Sequence, residues 1–151
     1  MLEDHLYWAI VNARWADDAN FAIGPSEFFT GAPDEVREGA RQNVIRTLQG
    51  QGFGRHRFDE VGDLARRSFG ALSALLGERP FLFGDTPSGT DATAFAMVAA
   101  ALVPRFTSHV RDAVESFPNL VAYRDRLMAR YFPDPAQPAI ASAASTRLTH
   151  A

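Results

Sequence analysis

From Gly89 to Pro104 the sequence reads GTDATAFAMVAAALVP, a stretch whose alanines, Phe95, Met97 and Val98 leave almost no polar face. A helix that is apolar all round has to be buried. Its unbroken apolar part, Ala94 to Val103, is about half the length needed to cross a bilayer, so membrane insertion is not expected. The covering surface then has to come from the protein itself. The pattern predicts a central helix with apolar neighbours on all sides, ended by Pro104. A helix start buried in this way has no water for its free amides. Ser88 and Asp91, three residues apart, supply the remedy: an acidic variant of the capping box, with Ser88 serving the first amides and Asp91 reaching back from the third helical position.

The flanking segments read as helices too. Leu2, Leu6, Ala9, Ile10 and Ala13 follow a helical period, predicting one helix from Leu2 to Asp18. Gly24-Pro25 and Gly31-Ala32-Pro33 mark a loop, and a second amphipathic helix runs from Pro33 to Gly50. After the turn Gly50 to Gly54, a third helix from Arg57 to Leu76 turns Phe58, Val61, Ala65, Leu72 and Leu75 toward a core, with Gly77 as a left-handed terminus. Phe81-Leu82-Phe83 is too short to require a strand and reads as loop contacts. A short helix from Thr107 to Glu115 and a last one from Pro118, carrying Leu120, Tyr123, Leu127 and Met128 inward, complete an all-α bundle. Residues 1–132 form the helical domain. Residues 133–151, mainly Ala, Ser, Thr and Pro, read as a flexible tail.

Composition narrows the function. A chain of 151 residues fits one domain. A formal net charge of -3 gives no long-range attraction for nucleic acid. With no cysteine there is no disulfide, thiolate nucleophile or thiolate metal ligand, which suits a cytoplasmic protein. Glu3, Asp4 and His5 do not open a signal peptide. His5, His56, His109 and His150 lie too far apart in sequence to form a local metal motif. Asp59 and Glu60 point in different directions on a helix, and Asp59 with Asp63 fits a solvated face. No catalytic residue or metal ligand is assigned.

Two sets of residues remain as ligand candidates. His5, Trp8, Asn12 and Trp15 recur at helical spacing, so two indoles can form an apolar wall while His5 and Asn12 orient a polar group of a substrate. The same set also suits aromatic packing or domain docking. Arg55 and His56 follow the glycine-rich turn, where an anion can meet a cation and backbone amides. No phosphate-loop signature accompanies them, and a helix-linking turn is the competing reading.

The order Phe81-Leu82-Phe83-Gly84-Asp85, then Ser88 and Asp91, then the apolar helix, then Phe117-Pro118-Asn119-Leu120 with Tyr123 and Arg126, resembles the C-terminal helical domain of the glutathione transferase superfamily. Glu3 to Trp8, Arg14-Trp15 and Gln51 to His56 look most like its metaxin-related and failed-axon-connections-like branch. The resemblance implies an N-terminal thioredoxin-like domain as partner, which this chain is expected to lack, and glutathione as cosubstrate of a longer parent, with no cofactor held here. It implies that the helices wall a site for a hydrophobic electrophile, and that the chain alone is inactive. A noncatalytic interaction or targeting adaptor is the alternative, and a homodimer is a further candidate assembly.

Overall fold

A computed structural model describes residues 1–133, so the expected tail beyond Pro133 lies outside the described residues. A π-helical turn, Leu2–Leu6, leads into α1, Tyr7–Trp15. The predicted helix stops there, short of Asp18. Asp17 takes extended backbone and its carboxylate accepts from the Asn20 amide at 2.8 Å, which starts a separate helix, α2, Asp18–Ile23. The loop expected from Gly24 holds a 3-10 turn, Pro25–Phe29. The break is clamped from α3, Asp34–Gln51. Arg41 Nε donates to the Trp15 carbonyl at 3.0 Å and its Nη2 to Ala16 at 3.2 Å and to Asp18 at 2.6 Å. A guanidinium is a suitable partner for the terminal carbonyls of α1.

Gly52, at φ 103°, ends α3 where an L side chain would be strained, and a 3-10 turn, Phe53–Arg55, leads to α4, Phe58–Leu76. Val61, Ala65, Phe69, Leu72 and Leu76 form its buried row. Phe58 and Leu75, expected inside, are 44% and 45% exposed. Phe58 opens the helix at the rim of a cavity, and Leu75 sits at the edge of the apolar stripe. Helix α6, His109–Glu115, crosses α4 at Gly62, where an added Cβ would lie 2.5 Å from the His109 Cβ. Only glycine permits that approach.

Helix α5, Gly89–Ala101, touches α1, α6, the first turn and α7, Pro118–Tyr131, and so is central. Its coverage is narrower than its composition predicts. Asp91, Ala94, Val98 and Ala101 are buried, spaced along one face, while Ala92 and Ala96 are exposed and Phe95 and Met97 are half-buried. Alanine lets neighbours approach closely on the buried side without the opposite side needing cover. Phe81 and Gly84 form a single antiparallel bridge, and no sheet occurs among the described residues.

Asp91, 1% exposed, holds this arrangement together. Its Oδ1 accepts from the Leu82 amide at 2.9 Å and the Tyr123 hydroxyl at 3.0 Å. Its Oδ2 accepts from the Ser88 amide and the Ser88 hydroxyl, both at 2.8 Å. One carboxylate thus ties the loop at Leu82 and the last helix to the start of α5, and the predicted capping box is in place. Burial by itself would raise the Asp91 carboxyl, yet the hydrogen bonds from Leu82, Ser88 and Tyr123 outweigh it and leave the group below its ordinary value. The Tyr123 phenol is pushed up, first by burial and then by its bond to Asp91.

Tyr123→Phe is expected to remove about 1.5–3 kcal/mol, the worth of a hydrogen bond to a charged group, and Asp91→Asn about 2–4 kcal/mol because buried donors lose their acceptor. The folded Asp91 carboxyl lies below its unfolded value of about 3.9, so its contribution is complete above that pH and is lost as pH falls through the folded value. Urea unfolding from pH 7 down to pH 3 checks both points. The acid loss should be shallower in Asp91→Asn, and equal slopes would refute this role.

Candidate functional site

Three element ends meet around a cavity of about 200 Å³: the second half of α1, the start of α4, and the loop that leads into α6. Asn20 builds the wall between them. Its Nδ2 donates to the Ala13 carbonyl at 2.9 Å and the Thr107 carbonyl at 2.8 Å, and its Oδ1 accepts from the Thr107 amide at 3.3 Å. The amide is fully used, which fixes the loop against α1. Ser108 caps α6 by accepting from the Arg111 amide at 3.1 Å. Asn12, also lining the cavity, is 2% exposed, and its Oδ1 is buried with no hydrogen-bond partner among the described residues. Asp17 and Asp112 bring carboxylates to the same space.

A second, apolar opening of about 490 Å³ lies between α5 and α7. Pro87, Ala92, Phe95, Leu127 and Tyr131 line it, and Phe132 stacks on Phe95 with ring centroids 5.8 Å apart. The groove is the uncovered side of α5.

Residues 65–127 match the family described as glutathione S-transferase, C-terminal domain. The isoprene-epoxide glutathione S-transferase of Rhodococcus sp. (strain AD45) is 31% identical over 146 residues, covering 87% of this chain and 58% of that protein. Failed axon connections of Drosophila melanogaster is 32% identical over 92 residues, covering 59% of this chain and 22% of the relative. Metaxin-2 of Mus musculus is 30% identical over 92 residues, 60% of this chain and 35% of the relative. The chain carries a helical domain of the glutathione S-transferase C-terminal type, related to the metaxin and failed-axon-connections branch. It spans less than two thirds of each of these relatives. No solved structure matches it significantly.

Within this glutathione S-transferase-type domain the four candidates on the first helix separate. Asn12 faces the polar cavity. His5 is exposed, its Nδ1 3.4 Å from the Ser68 hydroxyl and its ring edge-on to Phe53 at 5.8 Å. Trp8 packs against the core beside Tyr7, and Trp15 tilts over Phe21 at 5.7 Å. His5 sits in the π-helical turn, while Trp8, Asn12 and Trp15 keep their spacing within α1 and meet different neighbours. Arg55 Nε donates to the Gln49 carbonyl at 2.9 Å, at the end of α3, and His56 Nδ1 lies 3.7 Å from Glu60. These two face different partners. Among the described residues no group of three or more His, Asp or Glu is placed to hold a metal ion, and no helix is long and apolar enough to cross a membrane.

Sequence reasoning missed Asn20 and the apolar groove. Asp17 standing three residues before Asn20 is a cap signal that marks α2, but the Asn20 bonds to Thr107 join residues far apart in the chain. The groove shows only once α5 is seen to be covered on one side.

The two asparagines give opposite expectations. Asn20→Ala should lower stability by about 2–4 kcal/mol and unprotect the Thr107 amide in hydrogen exchange, because several buried partners are left unpaired. Asn12→Leu keeps the side-chain size while removing an unpartnered buried amide, and should be neutral or stabilise by about 1 kcal/mol. Urea midpoints of the two variants decide this, and a large loss in Asn12→Leu would show that Asn12 has a structural partner.

Proposed function

We propose that this chain is the substrate-binding and domain-assembly part of a glutathione S-transferase-like protein, working beside a thioredoxin-like domain that holds the thiol. The observation that carries the reading is the apolar groove between α5 and α7. Its uncovered aromatic wall suits either a docked domain or an apolar substrate edge. The match to the Rhodococcus isoprene-epoxide glutathione S-transferase supports an electrophile as substrate class. The chemistry is then attack of glutathione thiolate on an electrophilic carbon, which opens an epoxide by forming a C–S bond and releasing an alkoxide that takes up a proton. The described helices would supply an apolar wall and orientation for the electrophile. The neighbouring domain would lower the thiol pKa.

The matches to Metaxin-2 and Failed axon connections favour a second reading, a noncatalytic adaptor that uses the same groove to assemble with another protein. Calorimetry with glutathione on the 151-residue chain, and on the same chain preceded by a thioredoxin-like domain, separates the two. Saturable binding only in the longer protein, with Phe95→Ser weakening turnover of an epoxide, is the expected result. Binding by neither would favour the adaptor. Binding by the chain alone would overturn the division of labour between the domains.

A further inference from the structure

The groove between α5 and α7 lies where the chain leaves its last helix. Helix α7 ends at Tyr131, and Phe132 departs from helical backbone at φ -133°, ψ 52° while its ring stacks on Phe95 with the two planes 13° apart. Tyr131 and Phe132 both line the groove and are 53% and 61% exposed. Pro133 keeps α7 from running on past it. The sequence therefore continues from the rim of an apolar opening of about 490 Å³. Residues 134–151 read DPAQPAIASAASTRLTHA. Asp134 is their only carboxylate and Arg147 their only guanidinium, so little charge would have to leave water on docking. Ile140, Ala144 and Leu148 recur every four residues, the spacing of one helical face, and Ser142 and Thr146 fall on the opposite face.

We infer that, when neither a second domain nor a substrate covers this groove, its occupant is the chain's own segment 139–148, seated with Ile140, Ala144 and Leu148 toward Phe95, Leu127 and Tyr131. Reach permits it. Eight residues separate Phe132 from Ile140, a span of up to about 28 Å, whereas α5 runs only about 12 Å from its Ser88 cap to Ala96. The tether also supplies concentration. A short linker holds its segment in the millimolar range, so a contact too weak to capture a free peptide is populated within one chain. Two aliphatic side chains bury a modest apolar area, which suits a cover that a docking domain displaces. The inference rests on the groove being the face that the proposed function covers, and it gives that face a resting occupant in competition with the domain and the substrate.

Amide chemical shifts of the isotopically labelled 151-residue chain, measured by NMR without glutathione, provide the test. They stand apart from the calorimetry above, and either can fail while the other holds. A chain ending at Pro133 should differ from the full chain at Ala92, Phe95, Ala96 and Leu127, and match it at Thr107 and Ser108 beside the polar cavity. A synthetic peptide of residues 134–151 added to the shorter chain should return those shifts saturably, with a Kd of about 1 mM. In the full chain, Ile140→Asp combined with Leu148→Asp should reproduce the groove shifts of the shorter chain, and Ser142→Asp should leave them as they are. If the shorter chain does not fold, the substituted full chains still decide. Equal groove shifts in the full chain and the doubly substituted one would overturn the inference, as would an equal effect of Ser142→Asp. Groove shifts that survive the loss of residues 134–151 and grow with protein concentration would overturn it in favour of a second copy on this face.

Discussion

The Asp91 carboxylate is the constraint on which the bundle rests. Its four hydrogen bonds draw on three separated segments: the bridge at Leu82, the cap at Ser88 and the last helix at Tyr123. A carboxylate at this depth is tolerated only because each oxygen has two donors. The same bonds set the order of assembly in space, since α7 cannot leave α5 without stranding a phenol, and the Phe81–Gly84 bridge cannot shift without stranding an amide. A single acidic residue thereby does what a larger apolar contact would do in a longer helix pair.

Fixing α5 at its start has a consequence further along. Ala94, Val98 and Ala101 follow Asp91 on the same face and are drawn into the core, where small side chains allow α1 and α6 to approach. The opposite face is left to Ala92, Phe95 and Ala96, with α7 covering it only partly. The groove is therefore a by-product of how the helix is anchored, and its apolar character follows from a sequence with few polar residues on any side. Docking of a second domain and seating of an apolar substrate are both ways of covering that face, which is why they share one surface in the proposed function.

The cap at Ser88 and Asp91 and most of α3 and α4 were legible in the sequence because their determinants are local: spacing of three and four, a glycine at a terminus, a proline beyond it. Reading α5 as apolar on all sides went too far because periodicity reports what a face can bury, not whether a neighbour is there. The grouping of His5, Trp8, Asn12 and Trp15 assumed an uninterrupted helix. A π-helical turn over Leu2–Leu6 sets His5 apart, while Trp8, Asn12 and Trp15 keep their spacing within α1. The cavity was not legible at all, since Asn20 and Thr107 are brought together only by the tertiary fold.

The two openings differ in what the fold has already settled. Along the groove, exposed aromatic surface carries no polar demand and can be covered by many partners, so its specificity has to come from the shape of whatever docks. At the cavity the lining is polar, with Asn12, Asp17, His109 and Asp112 among its residues, and Asn20 already fixes its walls. Asn20, a few residues away, shows that this bundle can satisfy a buried amide completely when the amide serves only to hold the structure. Asn12 departs from that pattern, with an amide oxygen that is buried and unpaired among the described residues, so polar burial at this position costs stability instead of adding to it.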